Sequence, residues 1–207
     1  MQVMVYCNIL VNDKKNTIRI AKMISLVLGV PWIFTVILTL LITADISTSQ
    51  TILLIFIFVI FNIGIPLGSL FYLYKKGKIS DLDVTKRDER FTPLAIAMVS
   101  FLISLILTQF VGDRLIFEFS SIIFIILLIN LLITFLWKIS LHMGINIASS
   151  ILVNALVAWK LPVLFLSIPL VYWSRRTLHR HSPLQLIAGC VVSGGIALLG
   201  LRYFGYI

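Results

Sequence analysis

The chain has 207 residues, 60% of them hydrophobic and 12% charged, with a formal net charge of +9. A soluble domain has about a quarter of its residues charged, and several runs here exceed the roughly 18 apolar residues that mark a membrane-spanning helix. A soluble enzyme is therefore excluded. So is a nucleic-acid-binding module, because the Lys and Arg residues fall between apolar runs and form no soluble basic patch.

The expected class is an all-α integral membrane protein in one domain over 1–207, a multi-pass bundle of six to seven transmembrane helices in the cell membrane. Residues 1–18 read as a polar-mixed tail with Asp13, Lys14 and Lys15. The apolar run after it is too long for a signal h-region and lacks a small-residue cleavage site, so no cleavable signal is expected. Spans are expected at about 19–43, 52–74, 93–112, 115–137, 141–159, 161–173 and 184–204. Pro31 and Pro66 predict kinks in the first two, and Pro162 and Pro169 a kinked or partly buried sixth. The one long polar connection is 75–92. Asn62, Asn130, Asn146 and Asn154 are expected to hydrogen-bond between helices, Gly64-x-x-x-Gly68 and Gly194-Gly195 to form packing seams, and Glu118 to pair with Arg114 or snorkel. Cys7 and Cys190 suggest no disulfide framework or metal spacing.

Seven spans place the N-terminus, loop 75–92, turn 138–140 and loop 174–183 on one face. That face carries all of the seventeen Lys and Arg residues except Arg114, Lys160 and Arg202. The positive-inside rule makes it cytoplasmic. Three stretches on it carry chemistry: 81–93 before the third span, 137–144 entering the fifth, and 174–185 entering the seventh. Each brings cations, hydroxyls or imidazoles to interface depth, with His142 and His181 on the same side. Arg forks bind phosphate oxygens bidentately. One imidazole can attack phosphorus while another protonates the leaving oxygen, and fixed cations stabilise the charge on the transferring group. His179, two residues from His181, is expected to face solvent.

Here the chain resembles a known family. Ser174-Arg175-x5-His181 is similar to the S-R-x5-H part of the third motif of the type 2 phosphatidic acid phosphatase and vanadium haloperoxidase superfamily. Ser140-Leu141-His142 resembles the end of its second motif, P-S-G-H, and Arg90 with Pro93 the end of its first, K-x6-R-P. The resemblance covers about 80–200, the phosphatase-like core. It implies metal-free hydrolysis of a lipid phosphate or diphosphate, with no cofactor. His181 would be the nucleophile that forms a phosphohistidine, and His142 the general acid. Ser140, Arg90 and Arg175 would hold the phosphate oxygens.

The chain departs from the pattern in several places. Asp83 stands where the family has Lys, so Lys86 or Arg87 would have to supply that phosphate contact. Lys138 replaces the second-motif Pro, and Leu141 its Gly. Gln185 stands where an acid normally orients the nucleophile, leaving only an amide to do so. Two other readings stay open. One is a non-catalytic membrane protein on the same scaffold. The other is a prenyltransferase, since Asp81-x-Asp83 with Asp88 looks like one aspartate-rich Mg²⁺–diphosphate cluster, although a second cluster is missing.

Overall fold

The computed structural model describes residues 2–29, 33–111 and 114–207, without the side chains of 2–13, 33–35, 38 and 40. Among the described residues the chain is helical and contains no strand. The first helix, α1 (Gln2–Val27), takes in the expected polar tail, which is a correction. Nothing in 2–27 breaks a helix, since the stretch contains neither Gly nor Pro. Ala21, Ser25 and Gly29 lie four apart and are buried, while most of the residues between them are exposed. Ala21 and Ser25 pack on the helix Ser167–Thr177, through Ser174 and Arg175. The expected span 19–43 is divided, since α1 ends at Val27 and a separate helix, α2, covers Ile33–Thr43; Pro31 lies outside the described residues.

The second span is one continuous helix, Thr48–Lys75, in three parts: α3 (Thr48–Ile57), a π-helical turn (Phe58–Gly64) and α4 (Ile65–Lys75). The wide turn lies directly before Pro66, whose ring crowds the carbonyl four residues back and which lacks an N–H. The Ser100 hydroxyl donates to the carbonyl of Phe61 in this turn at 2.5 Å. Next come α5 (Phe91–Val111) and α6 (Arg114–Leu136), within two residues of expectation. Then α7 (Leu141–Leu156), a 3₁₀ turn (Pro162–Leu166), α8 (Ser167–Thr177) and α9 (Pro183–Phe204) complete the chain.

Among the described residues, four helices are long and apolar enough to cross a membrane: Thr48–Lys75, α5, α6 and α9. The other expected spans fall short. The 16 residues of α7 rise about 24 Å, less than the roughly 30 Å of a bilayer's hydrocarbon core, and α8 has only 11 residues.

The bundle is organised around α7, which packs on α2, α8 and most closely on α9. Val36, Phe119, Ile122, Leu152, Ala197 and Leu201 are almost wholly enclosed in the core between α2, α6, α7 and α9. Small residues set the α7–α9 approach. A Cβ on Gly144 would lie 2.4 Å from the Ser193 hydroxyl, and one on Gly189 would lie 2.4 Å from the Ser140 carbonyl oxygen. Gly194 packs on Ile147 and Ile151 as expected, but a Cβ on Gly195 or Gly68 would meet nothing within 4 Å, and one on Gly64 would meet only the Val59 carbonyl of its own helix. The expected Gly64–Gly68 seam is therefore corrected: that edge faces outward.

Buried amides join the elements. Asn130 donates to Ser193 at 3.0 Å, Asn146 donates to the Leu28 carbonyl at 2.9 Å and accepts from Ser167 at 2.6 Å, and Asn154 exchanges two bonds with Leu161. Asn62 Oδ1 is buried without a partner among the described residues.

Candidate functional site: a cation cluster closed by Asp83

The three chemistry-bearing stretches and the end of α1 meet at one end of the bundle. Local structure explains how each arrives. At the C-terminus of α8, His179 adopts the left-handed conformation (φ 51°) and the Arg180 N–H donates to the Arg175 carbonyl at 3.1 Å. This turn ends the helix and folds Arg180 back over its last turn. Ser182 then caps α9, with Gln185 completing a reciprocal capping box. Ser140 caps α7 by accepting from the Met143 N–H at 3.5 Å, and its own N–H donates to the Gln185 carbonyl at 3.3 Å. His142 thus sits in the first turn of α7, beside the start of α9. A Cβ on Gly29 would lie 2.6 Å from His142 Cδ2, so only glycine lets the end of α1 pass the imidazole.

Asp83 is the centre of the cluster. Its Oδ2 lies 3.1 Å from Arg175 Nη1 and 3.5 Å from Arg180 Nε, and its Oδ1 lies 3.9 Å from His142 Nε2. The Arg175 side chain is 1% exposed against 32% for Asp83, so the carboxylate covers the guanidinium from outside. Arg175 Nη1 also donates to the Ser25 hydroxyl at 2.7 Å, and the neighbouring Ser174 hydroxyl donates to the Ala21 carbonyl at 2.6 Å. Arg180 donates to Thr85. Arg90 is 6% exposed; its Nε donates to the Val84 carbonyl at 2.8 Å and its Nη1 to the Ile139 carbonyl at 3.2 Å. His181 is 5% exposed. Its Nδ1 and Arg175 Nε are buried without a hydrogen-bond partner among the described residues.

The electrostatics follow from this crowding. Burial alone would raise the Asp83 carboxyl, but Arg175, His142 and Arg180 outweigh it and hold it below the usual carboxylate range. Burial, reinforced by Arg90, Arg175, Lys138 and His142, pushes His181 down to about 3, so it is neutral at pH 7. Arg90 falls to about 10, through burial and then Arg175, and Lys138 is lowered by burial and by three arginines. Four cations, Arg90, Lys138, Arg175 and Arg180, thus crowd one another with Asp81 and Asp83 as the acids among them. The N-termini of α7 and α9, the positive ends of their dipoles, lie at the same end. Such a site can hold an anion and presents neutral imidazole nitrogen beside it.

Not every expected residue joins. Arg90, His142, Arg175 and His181 come together. Ser140 is fully buried beside them, but its hydroxyl serves the helix cap. Lys86 and Arg87 turn outward: Lys86 pairs with Glu89 at 3.1 Å and Arg87 with Asp88 at 3.4 Å, with side chains 68% and 50% exposed. Segment 80–89 closes on itself through Glu89, which accepts from the Ser80 N–H and hydroxyl, and this carries both cations away. Gln185 does not orient His181; its side-chain oxygen accepts from the Ser182 N–H at 3.0 Å. His179 is exposed, as expected. The phosphatase resemblance gave Asp83 no role, treating it as a departure from the family Lys, and Ser25 was missed altogether. An acid embedded in a strongly basic face was the available signal for Asp83; nothing in the sequence singled out Ser25.

At the opposite end Glu118 is 5% exposed, pairs with Arg114 at 2.5 Å and accepts from the Tyr206 hydroxyl at 2.8 Å. Comparison with protein-family models, with curated proteins and with solved structures found no match.

Proposed function

We propose that the protein is a membrane hydrolase of a phospholipid or isoprenoid phosphate or diphosphate, divergent from the type 2 phosphatidic acid phosphatases. One observation carries the reading: Arg90, His142, Arg175 and His181, drawn from three separate stretches, converge on one cation-rich cluster that contains a neutral imidazole. A lipid headgroup reaches the cluster while its chain stays in the bilayer. Arg175, with Arg180 and Lys138, holds the phosphoryl oxygens. His142, held neutral by burial, takes up a proton as the anionic headgroup binds; a ring nitrogen of His181 then attacks phosphorus, the bond to the lipid oxygen breaks, and His142 gives that oxygen its proton. Water then attacks the phosphohistidine, His142 takes the water's proton, and inorganic phosphate and free His181 result.

The test is phosphate release from lipid mono- and diphosphates by the purified protein, with EDTA present. His181→Ala and His142→Ala are each expected to abolish release, and the wild type is expected to trap acid-labile, base-stable phosphate on His181. Full activity in both variants overturns the proposal.

The second reading, a non-catalytic protein on the same scaffold, is favoured by Gln185: its amide is committed to the α9 cap, so no acid orients His181 from that position. Lipid-phosphate binding without turnover is its signature. The prenyltransferase reading loses support because Asp83 faces the arginines while the Asp88 side chain is 89% exposed. We place the cluster at the cytoplasmic surface, following the basic-residue asymmetry.

A further inference from the structure

We infer that Asp83 is an internal occupant of the anion site, and that segment 76–89 is a lid which phosphate displaces to reach Arg175, Arg180 and His142. The inference rests on the phosphate reading above and adds the regulation of that site. Three groups that suit a phosphoryl oxygen, one from α8, one from the turn after it and one from α7, are all directed at a single carboxylate. The carboxylate comes from a segment outside the bundle and is the more exposed partner, so an incoming headgroup meets Asp83 before it meets Arg175.

The construction of the segment supports a lid. It closes on itself through Ser80–Glu89, Asp81–Thr85 and Lys86–Glu89. Its hold on α8 and the turn after it consists of Asp83 on Arg175 and Arg180, together with Thr85 on Arg180. Those are the groups a phosphate would take over. A phosphate dianion carries more charge and more acceptor oxygens than a carboxylate, so the exchange is favourable for the cations. The segment is also strained where it matters: Val84, next to Asp83, has φ 44°, a conformation that β-branched residues rarely adopt. It is held there by the Arg90 bond to its carbonyl and by burial against Leu73 and Ile79.

The experiment titrates inorganic phosphate into the full-length protein in detergent, reading affinity by calorimetry. Asp83→Asn is expected to bind phosphate about tenfold more tightly than wild type, equivalent to about 1.4 kcal/mol. Asp88→Asn, at an exposed carboxylate, is expected to bind as wild type does. In the wild-type protein, phosphate is expected to speed amide hydrogen exchange across 79–85. Unchanged or weaker binding by Asp83→Asn overturns the lid, as does slower exchange in that segment on adding phosphate. The exchange measurement decides alone if Asp83→Asn fails to fold. Phosphate binding to neither protein, with no lipid phosphate turned over, overturns the parent reading and the lid with it. Binding by wild type without the Asp83→Asn gain overturns the lid alone.

Discussion

His181 shows how burial turns an ordinary side chain into one with a defined protonation state. Its folded value of about 3 lies well below the 6.5 of an exposed imidazole. Between those values the unfolded chain binds a proton that the folded chain does not, so stability rises with pH across that window and is lost as pH falls from about 6.5 towards 3. Asp83 acts in the same sense at lower pH: its depressed carboxyl contributes stability above the unfolded value of 3.8, and this is lost as pH falls through the folded value. The thermal midpoint in detergent is therefore expected to fall on acidification from pH 6.5 to 4, and His181→Gln to reduce that slope. An equal slope in the variant would contradict the placement of His181. At the far end, the bond from Tyr206 to buried Glu118 fastens the C-terminus to α6. Removing a hydrogen bond to a charged group costs about 1.5–3 kcal/mol, so Tyr206→Phe is expected to lower stability by that order in denaturant unfolding.

Among the elements, the α7–α9 pair fixes the site, because both helices begin at the cluster and the Ser140 N–H bonds the first turn of α9. Their approach depends on Gly144 and Gly189. Gly189→Ala would drive a methyl to 2.4 Å from a backbone oxygen, which cannot move away as a flexible side chain could. The expected loss is about 1–3 kcal/mol, with a fall in phosphate release as His142 shifts. Gly195→Ala on the same helix meets nothing within 4 Å and is expected to gain up to about 1 kcal/mol in helix propensity. Parallel melting curves of the two variants check the contrast. The elements also show where sequence pattern stops being informative. The long uniform runs of α5 and α6 were legible to within two residues because hydropathy alone defines them. By contrast, α7 and α8 read as spans because they are apolar, yet both are shorter than a membrane is thick.

Across the whole molecule, the two ends differ in character. One gathers Asp83, Arg90, Lys138, Arg175, Arg180 and the two imidazoles; the other holds Arg114, Glu118 and Tyr206. Cytoplasmic placement of the first end predicts that a cysteine at exposed Lys86 reacts with an impermeant maleimide in inside-out vesicles and not in intact cells. The reverse pattern would put the cluster outside the cytoplasm, and with it the headgroups it can reach.

Composition and run length by themselves pointed to helices long and apolar enough to cross a membrane, since an α-helix satisfies its own backbone in lipid, and four such helices are present among the described residues. Charge asymmetry and the spacing of Ser174, Arg175 and His181 were enough to propose a phosphate site on the basic face. Only the tertiary structure decided which cations gather in one cluster. Lys86, Arg87 and Asp83 sit within five residues of one another, yet Asp83 turns inward to Arg175 while both cations turn outward to acids of their own segment. Sequence distance cannot encode that choice. It depends on which partner, 92 residues away for Asp83 and three or fewer for the two cations, the folded segment brings within reach.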